Sequence, residues 1–266
     1  MAQGTFHYGG HVAANGIRQH YLRFGGKGES LVVVPGITSP AATWAFVGER
    51  LGEHYDTYVM DVRGRGLSSA APGLDYSLET YAADVIGFAA ALGLQRFHLL
   101  GHSMGARIAA RAATRGAPVG RLILADPPLS GPGCRPYVKT LEFYLGAIRQ
   151  AQAGTMDVAS VRATYPGWTE DQVRNRAEWL HTCDIEAISQ THRGFQEEEV
   201  HSDIAALNLP TQLMVAGRGG VILPEDVLEL KALMPSIQVK HFPAASHMIP
   251  FDDLDGFISA AVEFLG

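Results

Sequence analysis

Five short runs of mostly aliphatic and β-branched residues punctuate the chain: Leu31–Val34, Thr57–Met60, Phe97–Leu100, Leu122–Ala125 and Gln212–Ala216. Each is too short for a helix and lacks the alternation of a half-exposed strand, so each reads as a strand covered on both faces. Pro35-Gly36 stops the first run, as a turn would. Between the runs, apolar residues return with helical spacing over Trp44–Leu51, Leu78–Leu92, Met104–Arg115 and Pro224–Met234. Strand and helix in alternation, joined by right-handed crossovers, predict a mostly parallel central sheet with helices on both faces, an α/β architecture of three layers. Gly16–Phe24 alternates in character up to Gly25-Gly26 and predicts an early antiparallel strand. Ile237–Phe242 reads as a late strand, and Phe257, Ile258, Ala261, Val262 and Leu265 stripe one side of a final helix over Leu254–Leu265.

The rhythm lapses once. From Pro127 to Leu207 no buried-strand run occurs, while Leu141, Tyr144, Leu145, Ile148, Val161, Trp179 and Leu180 recur with helical spacing. This predicts an inserted helical cap over 127–207, with 1–126 and 208–266 forming one core domain. The composition suits a single buried core: 47% of the 266 residues are hydrophobic and 18% charged, with no low-complexity tract.

Charge and cysteine content narrow the function. A formal net charge of −6, with no stripe of Lys or Arg to offset it, argues against nucleic acid and anionic membrane surfaces as partners. No apolar stretch approaches the roughly 18 residues of a spanning helix, and Met1–Gly10 lacks the basic-then-apolar order of a signal peptide, which points to the cytoplasm. Cys134 and Cys183 lie far apart without thiolate-site spacing, HExxH is absent, and no His/Asp cluster has ligand spacing. No metal centre is expected, and the chemistry falls to side chains acting on a small molecule.

Gly101-His102-Ser103-Met104-Gly105 supplies that chemistry. It directly follows a buried strand and precedes a helix, the context of a nucleophile elbow, and its glycines permit the close backbone approach such a turn needs. The arrangement resembles that of the α/β-hydrolase superfamily. A serine hydroxyl needs a base, and His247, in the loop between the late strand and the final helix, opens on the same sheet edge as Ser103. The rival His241 lies inside the strand pattern. For the acid, many α/β-hydrolases carry an Asp three residues after the Gly that ends the strand following the cap. Here Gly217 is followed by Arg218, Gly219 and Gly220, so the carboxylate is sought at Asp126, at the end of the preceding strand, with Glu225 and Asp226 as alternatives. Two amides should hold the oxyanion: that of Met104, beside the nucleophile, and that of Ile37, in the loop Pro35–Ser39, where Thr38 and Ser39 add hydroxyls. Asp61–Ser68 lacks both the GxGxxG spacing and a Walker lysine, and reads as a turn-rich connection rather than a phosphate loop.

The elbow, the Asp61–Ser68 segment and the Pro35–Ser39 loop carry the likeness to the α/β-hydrolases, and runs elsewhere sharpen it. Asn15–Arg23, Val34–Pro40, Ala177–Cys183 and Met214–Ile222 resemble, over almost the whole chain, the members of that superfamily that cleave a formyl amide. The resemblance implies a triad of Ser103, Asp126 and His247 and hydrolysis of a carboxylate-bearing formamide without metal or organic cofactor. The same triad also serves carboxylesterases and C–C bond hydrolases, and the fold can be kept by a binding protein of low turnover. A substrate carboxylate needs a cation, for which Arg107, Arg176, Arg193 and Arg218 are candidates. Trp179, His181 and Tyr144 are candidates for the cap side of the pocket.

Overall fold

The computed structural model describes residues 4–266. Eight strands form one sheet: β1 (Phe6–Ala14), β2 (Ile17–Phe24), β3 (Ser30–Val34), β4 (Asp56–Met60), β5 (Phe97–His102), β6 (Val119–Ala125), β7 (Thr211–Ala216) and β8 (Gln238–Phe242). Their order across the sheet is β1-β2-β4-β3-β5-β6-β7-β8. β2 pairs antiparallel with β1 and β4, and every pairing from β4 to β8 is parallel. The helices of the core are α1 (Ala45–Leu51), α2 (Leu78–Ala91) and α3 (Met104–Thr114). Between β6 and β7 run α4 (Leu141–Gln152), α5 (Val158–Thr164), α6 (Glu170–Trp179), α7 (Ile185–Glu197) and α8 (His201–Ala206). α9 (Pro224–Leu233), α10 (Ile249–Asp252) and α11 (Leu254–Leu265) complete the chain.

The period-2 geometry of β3 explains the layers. Val32 and Val34 pack on one side of the sheet with residues of α2 and α3, while Leu31 and Val33 pack on the other with residues of α1 and α11. Strands sandwiched in this way are mostly apolar, which is why β3–β7 were readable as short apolar runs. β1 escaped the sequence reading for the opposite reason. It is an edge strand whose residues are mostly exposed, so its side chains carry no burial pattern, and only its pairing with β2 makes it a strand.

Crossovers leave β3 and β5 in opposite directions across the sheet, toward β4 and β6 respectively, so the carboxyl ends of these two strands flank a topological switch point. The loops after β3, β5, β6, β7 and β8 open at that edge. No helix among the described residues is long and apolar enough to cross a membrane.

Candidate active site

Ser103 stands between β5 and α3 with φ 55° and ψ −119°, a backbone region that non-glycine residues rarely occupy. The flanking glycines show why the turn needs them. A Cβ on Gly101 would sit 2.2 Å from the Gly105 carbonyl oxygen, and one on Gly105 would sit 1.9 Å from that of Val34. The Ser103 amide donates to Ala125 O at 2.8 Å, tying the elbow to the end of β6.

One residue beyond that end lies Asp126, fully buried and also left-handed, with φ 48°. Its amide donates to Met214 O at 2.9 Å, and its Oδ1 accepts from the Ala216 amide at 3.2 Å. Its Oδ2 lies 2.6 Å from His247 Nδ1, and His247 Nε2 lies 2.9 Å from Ser103 Oγ. A carboxylate can only accept, so Nδ1 carries the proton and Nε2 is free to accept from the serine hydroxyl. The structure therefore brings Ser103, His247 and Asp126 into one hydrogen-bonded line.

The two alternative acids stand elsewhere. Asp226 pairs with Arg135 at 2.6 Å and accepts from the Leu223 amide at the start of α9, and Glu225 is an exposed residue of the same first turn. His241 is an exposed residue of the edge strand β8. Glycine at 219 has a steric cause: a Cβ there would lie 2.9 Å from Ala216 Cβ and 3.0 Å from Asp126 Oδ2. With the carboxylate arriving from β6, position 219 in the loop after β7 has no room for a side chain.

His247 is held from behind by the elbow itself. His102 Nε2 donates to the carbonyl of His247 at 2.8 Å, and the His102 Nδ1 is left without a partner among the described residues. Burial pushes the His102 imidazole down to about 3, with the nearby His247 ring acting in the same direction, so His102 is a neutral donor at ordinary pH. Ser246 anchors the same loop, its amide and hydroxyl both donating to Asp252 Oδ2 at 2.7 and 2.5 Å.

Ile37 and Met104 are buried beside Ser103. Ile37 lines the cavity above the serine, and neither its amide nor that of Met104 donates to another group among the described residues. Both residues touch one side chain that sequence reading passed over. Arg65, buried with no carboxylate partner among the described residues, donates from Nε to Ile37 O at 2.9 Å and from its terminal nitrogens to Arg63 O at 2.8 Å, Tyr81 OH at 2.5 Å and Thr191 Oγ1 at 2.8 Å. It also lies 3.6 Å from Met104 Sδ. Around it, Asp61 accepts from His20 Nδ1 at 2.6 Å, the Ala41 amide at 2.6 Å and the Leu67 amide at 3.0 Å, while Arg63 forks onto Asp84. The Asp61–Ser68 segment is thus a scaffold under the Ile37 loop.

A cavity of about 550 Å3 opens over Ser103 and His247. Tyr144 lines it; Trp179 and His181, the other two aromatic candidates, do not. Helical periodicity identified α6 but not which of its sides meets the cavity, and it is Arg176 that faces it. In place of Trp179 stands Trp168, stacked between Tyr165 and Phe251 at centroid distances of 4.1 and 4.3 Å. Tyr137, also unforeseen, shares a 2.7 Å hydrogen bond with the Tyr144 hydroxyl. Burial pushes both phenols up, so both hydroxyls keep their protons beside Ser103. Of the four arginines considered for an anion, Arg176 and Arg218 line the cavity; Arg107 is buried against the carbonyls of Pro128, Ser130 and Glu198, and Arg193 is exposed away from it.

A serine on a strained elbow at a switch point, with a histidine and a carboxylate in line, has the geometry that serine hydrolases on an α/β scaffold use. The chain belongs to the alpha/beta hydrolase family, whose profile matches residues 31–260. It is 58% identical over 262 residues to an N-formylmaleamate deformylase of Pseudomonas putida, covering 98% of this chain and 97% of that one. The crystal structure of an N-formylmaleamic acid deformylase from Pseudomonas putida S16 superposes with a TM-score of 0.91 at 48% identity, over 96% of this chain and 100% of that one. A more distant relative, 28% identical over 86% of this chain and 84% of its own length, is the 2-(acetamidomethylene)succinate hydrolase of Mesorhizobium japonicum.

Proposed function

We propose that this chain hydrolyses N-formylmaleamate to maleamate and formate, a step in the breakdown of nicotinic acid. The near full-length identity of 58% to a deformylase of that substrate carries the proposal, and the in-line Ser103–His247–Asp126 geometry supplies a means. Ser103 Oγ attacks the formyl carbon as His247 Nε2 takes its proton, and Asp126 stabilises the imidazolium that forms. The amides of Ile37 and Met104 receive the oxyanion. His247 then returns the proton to the departing nitrogen, the C–N bond breaks, and maleamate leaves with its amide nitrogen protonated. That nitrogen is flanked by a second carbonyl, which makes it a better leaving group than an amine. Water, deprotonated by His247, attacks the formyl ester on Ser103; the ester C–O bond breaks as His247 returns that proton to Ser103 Oγ, and formate is released.

In this reading 127–207 acts as a cap over a core made of 1–126 and 208–266, and its aromatic residues close the cavity around a small substrate. Two free cysteines, one of them buried, suit a cytoplasmic setting. The test is to follow formate release from N-formylmaleamate by purified, chelator-treated protein. Rapid multiple turnover is expected, and none of it should depend on a removable metal. Absence of formate together with hydrolysis of short-chain esters would reassign the chain to a carboxylesterase.

A further inference from the structure

Three cationic side chains, Lys139, Arg176 and Arg218, line the cavity over Ser103, against one carboxylate, Asp252. In a chain of formal net charge −6 this is a local reversal of sign. Asp252 does not neutralise them, because its Oδ2 already accepts from the Ser246 amide and hydroxyl. None of the three cations forms an ion pair among the described residues, whereas nine other arginines do. Cations left unpaired in a partly enclosed, aromatic-walled cavity suit an anionic ligand.

Arg176 is distinguished from the other two by being held in place. It is half-buried, and its terminal nitrogens donate to the carbonyl and hydroxyl of Thr38, the latter at 2.9 Å. Two of its five N–H groups are thereby used, and the planar fork keeps the other three. Arg218 is exposed, with Nε on the Ala244 carbonyl at 2.6 Å, and the exposed Lys139 rests its ammonium over the Phe143 ring at 4.7 Å. These two raise the local potential without offering a fixed geometry.

We propose that Arg176 is the anion anchor of the site and that the preferred substrates are short amides carrying a free carboxylate. Thr38 directly follows Ile37, so the anchor and an oxyanion donor are attached to consecutive residues of one loop. A substrate that engages both must hold its carboxylate only a few bonds from the carbonyl under attack. The inference rests on the hydrolase reading above and deepens it by naming the charge and reach that the site selects.

Arg176→Gln removes the charge while keeping an amide that can donate to Thr38. The comparison is formate release from N-formylmaleamate and from its neutral methyl ester, which contains the same scissile bond. The ratio of the two kcat/KM values should fall about 100-fold in the variant, chiefly through KM of the anion, as loss of a charged hydrogen-bonding partner implies. Arg176→Lys should recover part of the ratio, and Arg193→Gln should preserve it. Equal losses on both substrates would mean that Arg176 merely braces the Thr38 loop, and would overturn the proposal; so would an undiminished ratio. A second assay separates this outcome from failure of the deformylase reading. Hydrolysis of 4-nitrophenyl formate, a neutral formyl ester, should be inhibited by maleamate, with about 100-fold more required against Arg176→Gln. Equal inhibition of both proteins would remove the anchor even from a working deformylase. Arg176-dependent inhibition in a protein that leaves N-formylmaleamate intact would keep the anchor and discard that substrate.

Discussion

Position 219 shows how one residue type records where another stands. A side chain at 219, in the loop after β7, would meet Asp126, whose carboxylate reaches across from the end of β6. Asp126→Asn should lower kcat about 10,000-fold, since a neutral amide neither fixes the imidazole tautomer nor stabilises the imidazolium. Glu225→Gln, on an exposed first turn of α9, should leave steady-state rates within about twofold; the reverse ranking would move the acid to that helix. The side chains that the structure aligns, Ser103, His247 and Asp126, could be named from sequence because a motif, a loop position and a missing carboxylate each leave a mark on it. Arg65 could not, and Arg176 was only one of four candidate cations, with nothing to set it apart. Arg65 works through the Ile37 carbonyl and the Thr191 hydroxyl, and Arg176 through Thr38, partners that lie 28, 126 and 138 positions away along the chain. No local pattern encodes such pairings.

Among the elements, the β5–α3 turn has the least tolerance. Gly105 packs its α-carbon so near the end of β3 that an added methyl group would sit inside the Val34 carbonyl. Gly105→Ala should cost about 3 kcal/mol or more, read as a lower midpoint in chemical denaturation, because helix and strand must part to admit it. The same economy made the core elements easy to read. A strand buried on both faces has to be apolar, and a helix over a sheet has to be striped, so β3–β7, α2, α3 and α11 carry their identity in composition. β1 has neither obligation, and lies at the sheet edge with exposed side chains. Between β6 and β7, periodicity gave helices but not their outlook on the cavity, which is why Trp179 was named as a lining residue and Trp168 was not.

For the molecule as a whole, acid should be the weakness. Burial holds the His102 imidazole down at about 3 against an ordinary 6.5, and the Glu79 carboxyl is held below its usual range by hydrogen bonding to Arg115 and Arg111. Each folded value lies below the unfolded one, so on acidification the unfolded chain takes up protons first and gains population. For His102 that window runs from about 6.5 down to about 3. Calorimetric Tm should therefore fall as pH drops from about 7 to 4, and more gently in His102→Gln, which has no imidazole to protonate; matching slopes would show that His102 contributes nothing to the transition. The placement of Asp126 also bears on how such a protein could be rebuilt. Ser103, Asp126 and His247 branch from the loops after β5, β6 and β8, so the stretch from 127 to 207 contributes no member of that hydrogen-bonded line. It could be exchanged as a cassette between neighbouring α/β scaffolds without breaking the relay, and the graft would forfeit the two grips it now has on the oxyanion side, Arg176 on Thr38 and Thr191 on Arg65.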